Sequence, residues 1–396
     1  MDDEATGWMP LMSRRSVLLL AGLILASLNM RPALAGVSPL LDEIMADMGL
    51  TAAGGGAITT VMVVCLGVFG MVTPALARRI GLDRTLFAGL LLLAFGIVLR
   101  TVDGVFCLYL GSALAGTAIA VMNVAMPGVV KQHFPDRVGL YTSIYVSGLV
   151  AGAAAASAFV IPLEQATGAG WRGVTAMMAI PAVAAALLWL PQALTRREGS
   201  GGGTRPFAAL MRDRVTWYVT AFMGVQSLTF YIVLAWLPTV FQEAGLSADQ
   251  AGYLLGLTNL TQVVSTLAVP VHAGRRRSQV PHVTVAALLT VAGYTGVLVA
   301  PTTAPWLWVT VLGLGQGASI ALALLIITLR APDAASVTAL SAVAQSCGYV
   351  LAALGPVLIG VLREASGGWT VPLLAGVAAC LVQLVAGLFA GRPRPD

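Results

Sequence analysis

The chain has 396 residues, of which 58% are hydrophobic and 10% charged, with a mean hydropathy of +0.88. A water-soluble protein of this size cannot hide that much apolar side chain, so a soluble domain is excluded and a lipid bilayer is the expected solvent. The net charge of +5 is split into short clusters between apolar runs, which excludes a nucleic-acid-binding face and marks orientation signals instead.

A membrane-crossing helix needs about 20 mostly apolar residues. That ruler predicts helices near 16–40, 53–77, 85–101, 105–130, 139–162 and 171–191, then near 215–240, 251–272, 280–300, 305–329, 337–361 and 369–390. At the start, Arg14 and Arg15 precede an apolar run, and Ala33-Leu34-Ala35 resembles a signal-peptidase site. Asn29 and Arg31 interrupt that run and eleven spans follow, so it reads as an uncleaved first helix.

Charge tests the count. With the N-terminus in the cytoplasm, 18 of the 22 Lys and Arg fall in cytoplasmic segments. Three more (Arg100, Arg172 and Arg363) sit at outer ends, and the last is Arg31. One helix more or fewer would invert every later loop, so twelve spans in the inner membrane with both termini cytoplasmic is the consistent solution. The polar segment 192–214, with five arginines and a Gly/Ser run, is expected to be a flexible cytoplasmic linker between halves 1–191 and 215–396.

The halves repeat one another. Gly49-Leu50-Thr51 matches Gly245-Leu246-Ser247, Pro39 matches Pro238, and Gly116-Thr117-Ala118-Ile119-Ala120 matches Gly317-Ala318-Ser319-Ile320-Ala321. Pro135-Asp136 matches Pro332-Asp333, Gly148 and Glu164 match Gly348 and Glu364, and Gly170-Trp171 matches Gly368-Trp369. All these offsets lie between 196 and 201 residues. The expected fold is therefore an all-α membrane protein of twelve transmembrane helices in two pseudo-symmetric six-helix bundles. Such duplication places a polar site at mid-membrane, exposed to each side in turn as the halves rock.

Arg31, in Ser27-Leu28-Asn29-Met30-Arg31-Pro32, is the one charged side chain well inside a predicted span. A charge there costs about 3 kcal/mol or more, so it should face a cavity and have a partner. Every Asp and Glu falls in a loop or at a helix end. Either the substrate brings negative charge or electron-rich oxygens, or polar groups cage the guanidinium. The structural alternative is an Arg bonded to carbonyls freed by Pro32. Ser27, Arg31, Ser38 and Asp42 form one helical stripe; Asp42, roughly 16 Å further along, is a candidate outer-gate residue.

Uncharged candidates for the cavity wall are Asn123, Tyr145, Gln226, Tyr231, Asn259, Gln262 and Gln345, with Tyr145 and Gln345 as repeat mates. Each has the competing reading of an interhelical hydrogen bond. His133 and His272 are expected at the cytoplasmic surface and His282 at an interface, so ion coupling is not visible. The four cysteines read as packing residues. There is no GxxxxGK[ST], HExxH or GxSxG and no carboxylate cluster, so neither an ATP-driven pump nor an enzyme is supported, and no cofactor or metal is expected.

The two-times-six layout, the central linker and the turn Pro74-Ala75-Leu76-Ala77-Arg78-Arg79-Ile80-Gly81-Leu82-Asp83-Arg84 resemble the major facilitator superfamily. The resemblance implies a loop-motif role for Arg78, Arg79, Gly81 and Asp83. Pro74 stands where that motif has Gly, and Arg78 where it has the Asp of an inter-half latch. Ser112 stands near the position of the family's fourth-helix Arg, which speaks against drug/proton antiport. Asn29-Met30-Arg31-Pro32-Ala33-Leu34, Phe134-Pro135-Asp136-Arg137-Val138-Gly139 and Gln345-Ser346-Cys347-Gly348-Tyr349 are similar to the cyanate and 2-nitroimidazole transporter branch. That resemblance implies a monomeric secondary carrier for a small anionic, nitro- or carboxyl-bearing solute, with Arg31 as its polar anchor. The alternative is an exporter of apolar drugs in which Arg31 is structural. A membrane-bound sensor or enzyme would need an output domain or a catalytic cluster, and the longest polar segment has neither.

Overall fold

The computed structural model describes residues 14–195 and 207–393, and every regular element among them is helical. Twelve helices are long and apolar enough to cross a membrane. The first six are Val17–Ala35, Gly54–Ile80, Leu82–Arg100, Val105–His133, Pro135–Thr167 and Gly170–Leu194. The second six are Arg214–Glu243, Gln250–Ala273, Val280–Val299, Pro305–Arg330, Ala334–Ser366 and Thr370–Ala390. The count agrees with the sequence reading. The fifth and eleventh spans run several residues beyond the expected ends, as amphipathic extensions past the apolar run.

The repeated sequence triplets are punctuation. Gly49 ends the helix Leu41–Met48 with a left-handed φ of 63°, and Thr51 starts the next by accepting from the Gly54 N–H. Gly245 (φ 103°) and Ser247 do the same in the second half, where Ser247 and Gln250 form a capping box. Glycine tolerates the positive φ and a hydroxyl satisfies a free helix N–H, so a stop–start signal recurs in both halves.

The first span is not one helix. Arg14–Asn29 stops, Arg31 takes φ −122° and ψ −23°, and a new turn, Pro32–Ala35, begins. Pro32 has no N–H to continue the ladder, and the Arg31 carbonyl instead accepts from Leu34 and Ala35. The chain continues through Ser38–Leu40 to the helix Leu41–Met48.

Within each half, close helix approach depends on small residues. A Cβ on Gly152 would lie 2.2 Å from the Leu28 carbonyl, and one on Gly293 would lie 2.7 Å from the Leu312 Cα. Cys65 and Cys380 are buried as expected of packing residues, whereas Cys347 is exposed on the eleventh span.

The halves meet chiefly on the side of the linker. Ser143 on the fifth span donates to the Leu267 carbonyl (2.6 Å), and Ser147 pairs with Thr266 (3.0 Å) on the eighth. Gly139 packs against Pro270 and Gly274, while Gly128 on the fourth span packs against Ala334 and Thr338 on the eleventh. At mid-bundle, Gln345 donates to the Asn123 carbonyl at 2.9 Å. Among the described residues, no hydrogen bond joins the halves at the end away from the linker.

Candidate functional site

The break at Met30–Arg31 sets the site. Because the helix stops there, Arg31 lies just past the end of Arg14–Asn29, four residues before the end of the span Val17–Ala35. It is surrounded by protein yet retains partial accessibility. The phenols of Tyr349, on the eleventh span, and Tyr231, on the seventh, lie close to it. Both come from the opposite half. No described carboxylate is among its neighbours.

The structural alternative for Arg31 assigned it to carbonyls near Pro32. A different arginine does that. Arg100, expected at an outer end, is 2% exposed and donates to the Ala33 carbonyl at 2.9 Å and to the Met62 sulfur at 3.3 Å. Arg100 is thus the last residue of the third span, as expected, but buried against the first. The Arg31 guanidinium lies beside the phenols of Tyr231 and Tyr349.

Tyr145, on the fifth span, is 1% exposed, lies near Tyr349, and has a hydroxyl with no hydrogen-bond partner. Tyr231 and Tyr349 thus lie close to the cation, and Tyr145 lies near Tyr349. Tyr349, 5% exposed, was not among the expected site residues. Its signal was its position four residues after Gln345, one helical turn along the same face.

The other candidates are held mainly by structural bonds. Asn123 offers its backbone carbonyl to Gln345, whose Nε2 also donates to Ser341. Gln226 bonds within its own helix, to the Met223 carbonyl and the Ser227 hydroxyl. Gln262 reaches Asn259 at 3.4 Å on the eighth span. Deeper in the second half, Gln316 donates to the Thr229 carbonyl and Gln383 to Ser319. A small apolar pocket beside Trp236, Tyr294 and Trp369 includes neither Arg31 nor its phenols.

The loop-motif residues divide in two. Arg78 and Arg79 are exposed at the end of the second span, and Gly81 turns the chain with φ 88°. Asp83 is 7% exposed and accepts from the Gln132 amide at 2.9 Å, with His133 Nε2 at 2.7 Å. Its bonds stay within the first half, so His133 is buried against Asp83 rather than set at the surface. Asp42 lies on the helix Leu41–Met48, but its side chain falls outside the described residues. On the same outer end, Asp47 accepts from the Trp171 indole (3.0 Å) and pairs with Arg172, which hold its carboxyl below the usual carboxylate range.

The family model described as Major Facilitator Superfamily matches residues 17–356. The 2-nitroimidazole transporter of Escherichia coli (strain K12) is 35% identical over 97% of this chain and 98% of its own length. The cyanate transport protein CynX of the same organism is 30% identical over 92% of this chain and 94% of its own. The E. coli fucose:proton symporter FucP superposes with a TM-score of 0.71 at 13% identity, over 95% of this chain and 99% of that one.

Proposed function

The chain belongs to the major facilitator superfamily, and from that premise we propose that it moves a small anionic, nitro- or carboxyl-bearing solute across the inner membrane by alternating access, with Arg31 as the main polar anchor. Its relatives over nearly the whole chain are transporters, and no ATP motif is present, so transport is secondary. The distribution of Lys and Arg supports a cytoplasmic linker and cytoplasmic termini. The functional unit is the single twelve-helix chain, with halves 1–191 and 215–396 joined by 192–214.

The observation that carries the reading is a partly accessible guanidinium within the first span whose described neighbours include the phenols of Tyr231 and Tyr349 and no described carboxylate. A buried cation without a protein anion is completed by a ligand that brings one. Paired oxygens of a nitro or carboxylate group match the fork of an Arg, and a linear anion such as cyanate is drawn by charge. The relatives' names fall within those two chemistries.

The test is ligand stabilisation of the purified protein with 2-nitroimidazole, cyanate, benzoate and a lipophilic cation, each at rising concentration. Melting temperature should rise with the first three and not the last, since stabilisation follows affinity for the folded state. Arg31→Gln should remove the rise while leaving the unliganded melting temperature within a few degrees. Stabilisation by the cation alone, or an unchanged response in Arg31→Gln, sinks the proposal.

A further inference from the structure

Two of the three histidines lie outside the site described above and face each other. His272 stands in the last turn of the eighth span and His282 in the first turn of the ninth. The Nδ1 of His272 is 2.7 Å from the Nε2 of His282, with ring centroids 4.9 Å apart and planes inclined at 60°. His272 is exposed and His282 half-buried. The Nδ1 of His282 is buried with no hydrogen-bond partner, so that ring bonds through Nε2 alone. At this distance two neutral imidazoles share one N–H, although either nitrogen can offer a lone pair.

The turn between the two rings is pinned from behind. Gln279 donates its side-chain amide to the Ala273 carbonyl (3.3 Å) and the Arg276 carbonyl (2.7 Å), and its backbone N–H donates to the Gly391 carbonyl at 3.0 Å. Arg330, 8% exposed, completes the tie by donating to the Gln279 Oε1 at 2.8 Å and to the Ala390 carbonyl at 2.9 Å. Both imidazoles therefore stand on helix ends whose connecting turn is fastened to the tenth and twelfth spans. Ligands on such fixed elements lose little freedom when an ion draws them together.

We propose that His272 and His282 form a two-point site for a divalent transition-metal ion of the Zn²⁺, Ni²⁺ or Cu²⁺ class, which ties the eighth span to the ninth at the linker end. Imidazole nitrogens suit those ions, whereas Mg²⁺ and Ca²⁺ take oxygen. Two imidazoles at about 2.0–2.1 Å from one ion place their nitrogens about 3 Å apart, a few tenths of an ångström beyond the present separation. The rings then carry their protons on the far nitrogens, His272 on Nε2 and His282 on Nδ1, so a neutral pair releases no net proton. Among the described residues no third His, Cys, Asp or Glu joins the pair, so water fills the remaining positions. The exposed Arg275, Arg276 and Arg277 oppose the ion and keep its hold reversible. The same turn carries Pro270 and Gly274, on which Gly139 of the first half packs, so the ion stiffens one wall of the linker-side seam. Arg31 takes no part, and the site stands apart from the choice of solute.

The test uses the full chain without a polyhistidine tag, purified in detergent near neutral pH, with Cu²⁺ as spectroscopic probe and Ni²⁺ for affinity. The electron paramagnetic resonance spectrum of bound Cu²⁺ should show splitting from two imidazole nitrogens, and His272→Gln or His282→Gln should each abolish that pattern. Ni²⁺ affinity, read by calorimetric titration, should fall on the order of a hundredfold in either variant, because two linked ligands no longer act together. Ni²⁺ should raise the wild-type melting temperature and Mg²⁺ should not. His133, buried against Asp83, stays in every variant as an internal control. A copper spectrum with one imidazole nitrogen or none overturns the proposal. So does equal Ni²⁺ affinity in the wild type and His272→Gln/His282→Gln, or a rise in melting temperature as large with Mg²⁺ as with Ni²⁺.

Discussion

The Arg100 guanidinium, on the third span, donates to the Ala33 carbonyl at 2.9 Å, two residues beyond Arg31 on the first. The short helix Pro32–Ala35 has too few residues to satisfy its own carbonyls, and this bond closes one of them where water is absent. Arg100→Leu should therefore destabilise the protein by about 1.5–3 kcal/mol, the range for a bond to a charged group. Arg100→Lys should recover part of that. Melting temperature in detergent measures the loss. The accompanying expectation is a drop in Arg31-dependent ligand stabilisation, because the break that aims Arg31 would no longer be held.

Asp83 is the second buried charge, and its partners are local to the first half. Asp83→Ala leaves the Gln132 amide and His133 ring without their acceptor, and the Trp189 indole still bonds the Asp83 backbone carbonyl at 3.2 Å. The expected cost is about 1–3 kcal/mol per orphaned buried donor, seen as a lower melting temperature. Because no bond from Asp83 among the described residues crosses to the second half, the ratio of near to far states read by energy transfer between dyes on cysteines substituted for the exposed Arg137 and Arg276 should stay unchanged. A shift in that ratio would show that the motif acts as an inter-half latch after all.

What could be read from the sequence follows a physical division. Span length and the Gly-to-Thr or Gly-to-Ser stop–start signals are local, so twelve spans and two repeats were legible. Arg31 was legible because a lone charge amid apolar neighbours has a large energy attached to it. Arg100 was not, since it stands beside Thr101 and Asp103 in a hairpin, and its burial depends on Ala33, 67 positions away. His133 looked interfacial for the same reason: its partner Asp83 lies 50 positions back. Tyr349 was hidden among aromatic residues whose sequence context is no different from that of packing tyrosines. Pairings across long separations are set by the fold, and a single sequence does not show them.

Asp47 gives an acid-side signature. Its carboxyl is held low by the Trp171 indole and by Arg172, so its folded value lies below its unfolded one of about 3.9. Such a group contributes stability that is complete above the unfolded value and is lost as pH falls through the folded one. The gap in melting temperature between wild type and Asp47→Asn should thus be constant from about pH 7 to 5 and shrink below about pH 4. The site is exposed and screened, so the gap should also narrow in high salt. A gap that widens on acidification would contradict the assignment.

Gly139 offers a control on which way the cleft opens. A Cβ there would lie 2.4 Å from the Pro270 carbonyl oxygen and 3.1 Å from the Gly274 Cα, both backbone atoms of the other half that cannot turn aside. Gly139→Val should therefore prevent the linker-side seam from closing and populate a state open on that side. Ser143, 2% exposed and bonded to Leu267 across the seam, reports it when changed to Cys in a cysteine-free background. Its reaction with an impermeant maleimide applied from the linker side should quicken roughly fivefold or more with Gly139→Val, as the closed population falls. Transport should fall in parallel, since a carrier that cannot close one end cannot complete a cycle. An unreactive Ser143→Cys in the Gly139→Val background would mean that the seam absorbs the methyl groups by sliding, and that the gate lies at the Gly128–Thr338 contact instead.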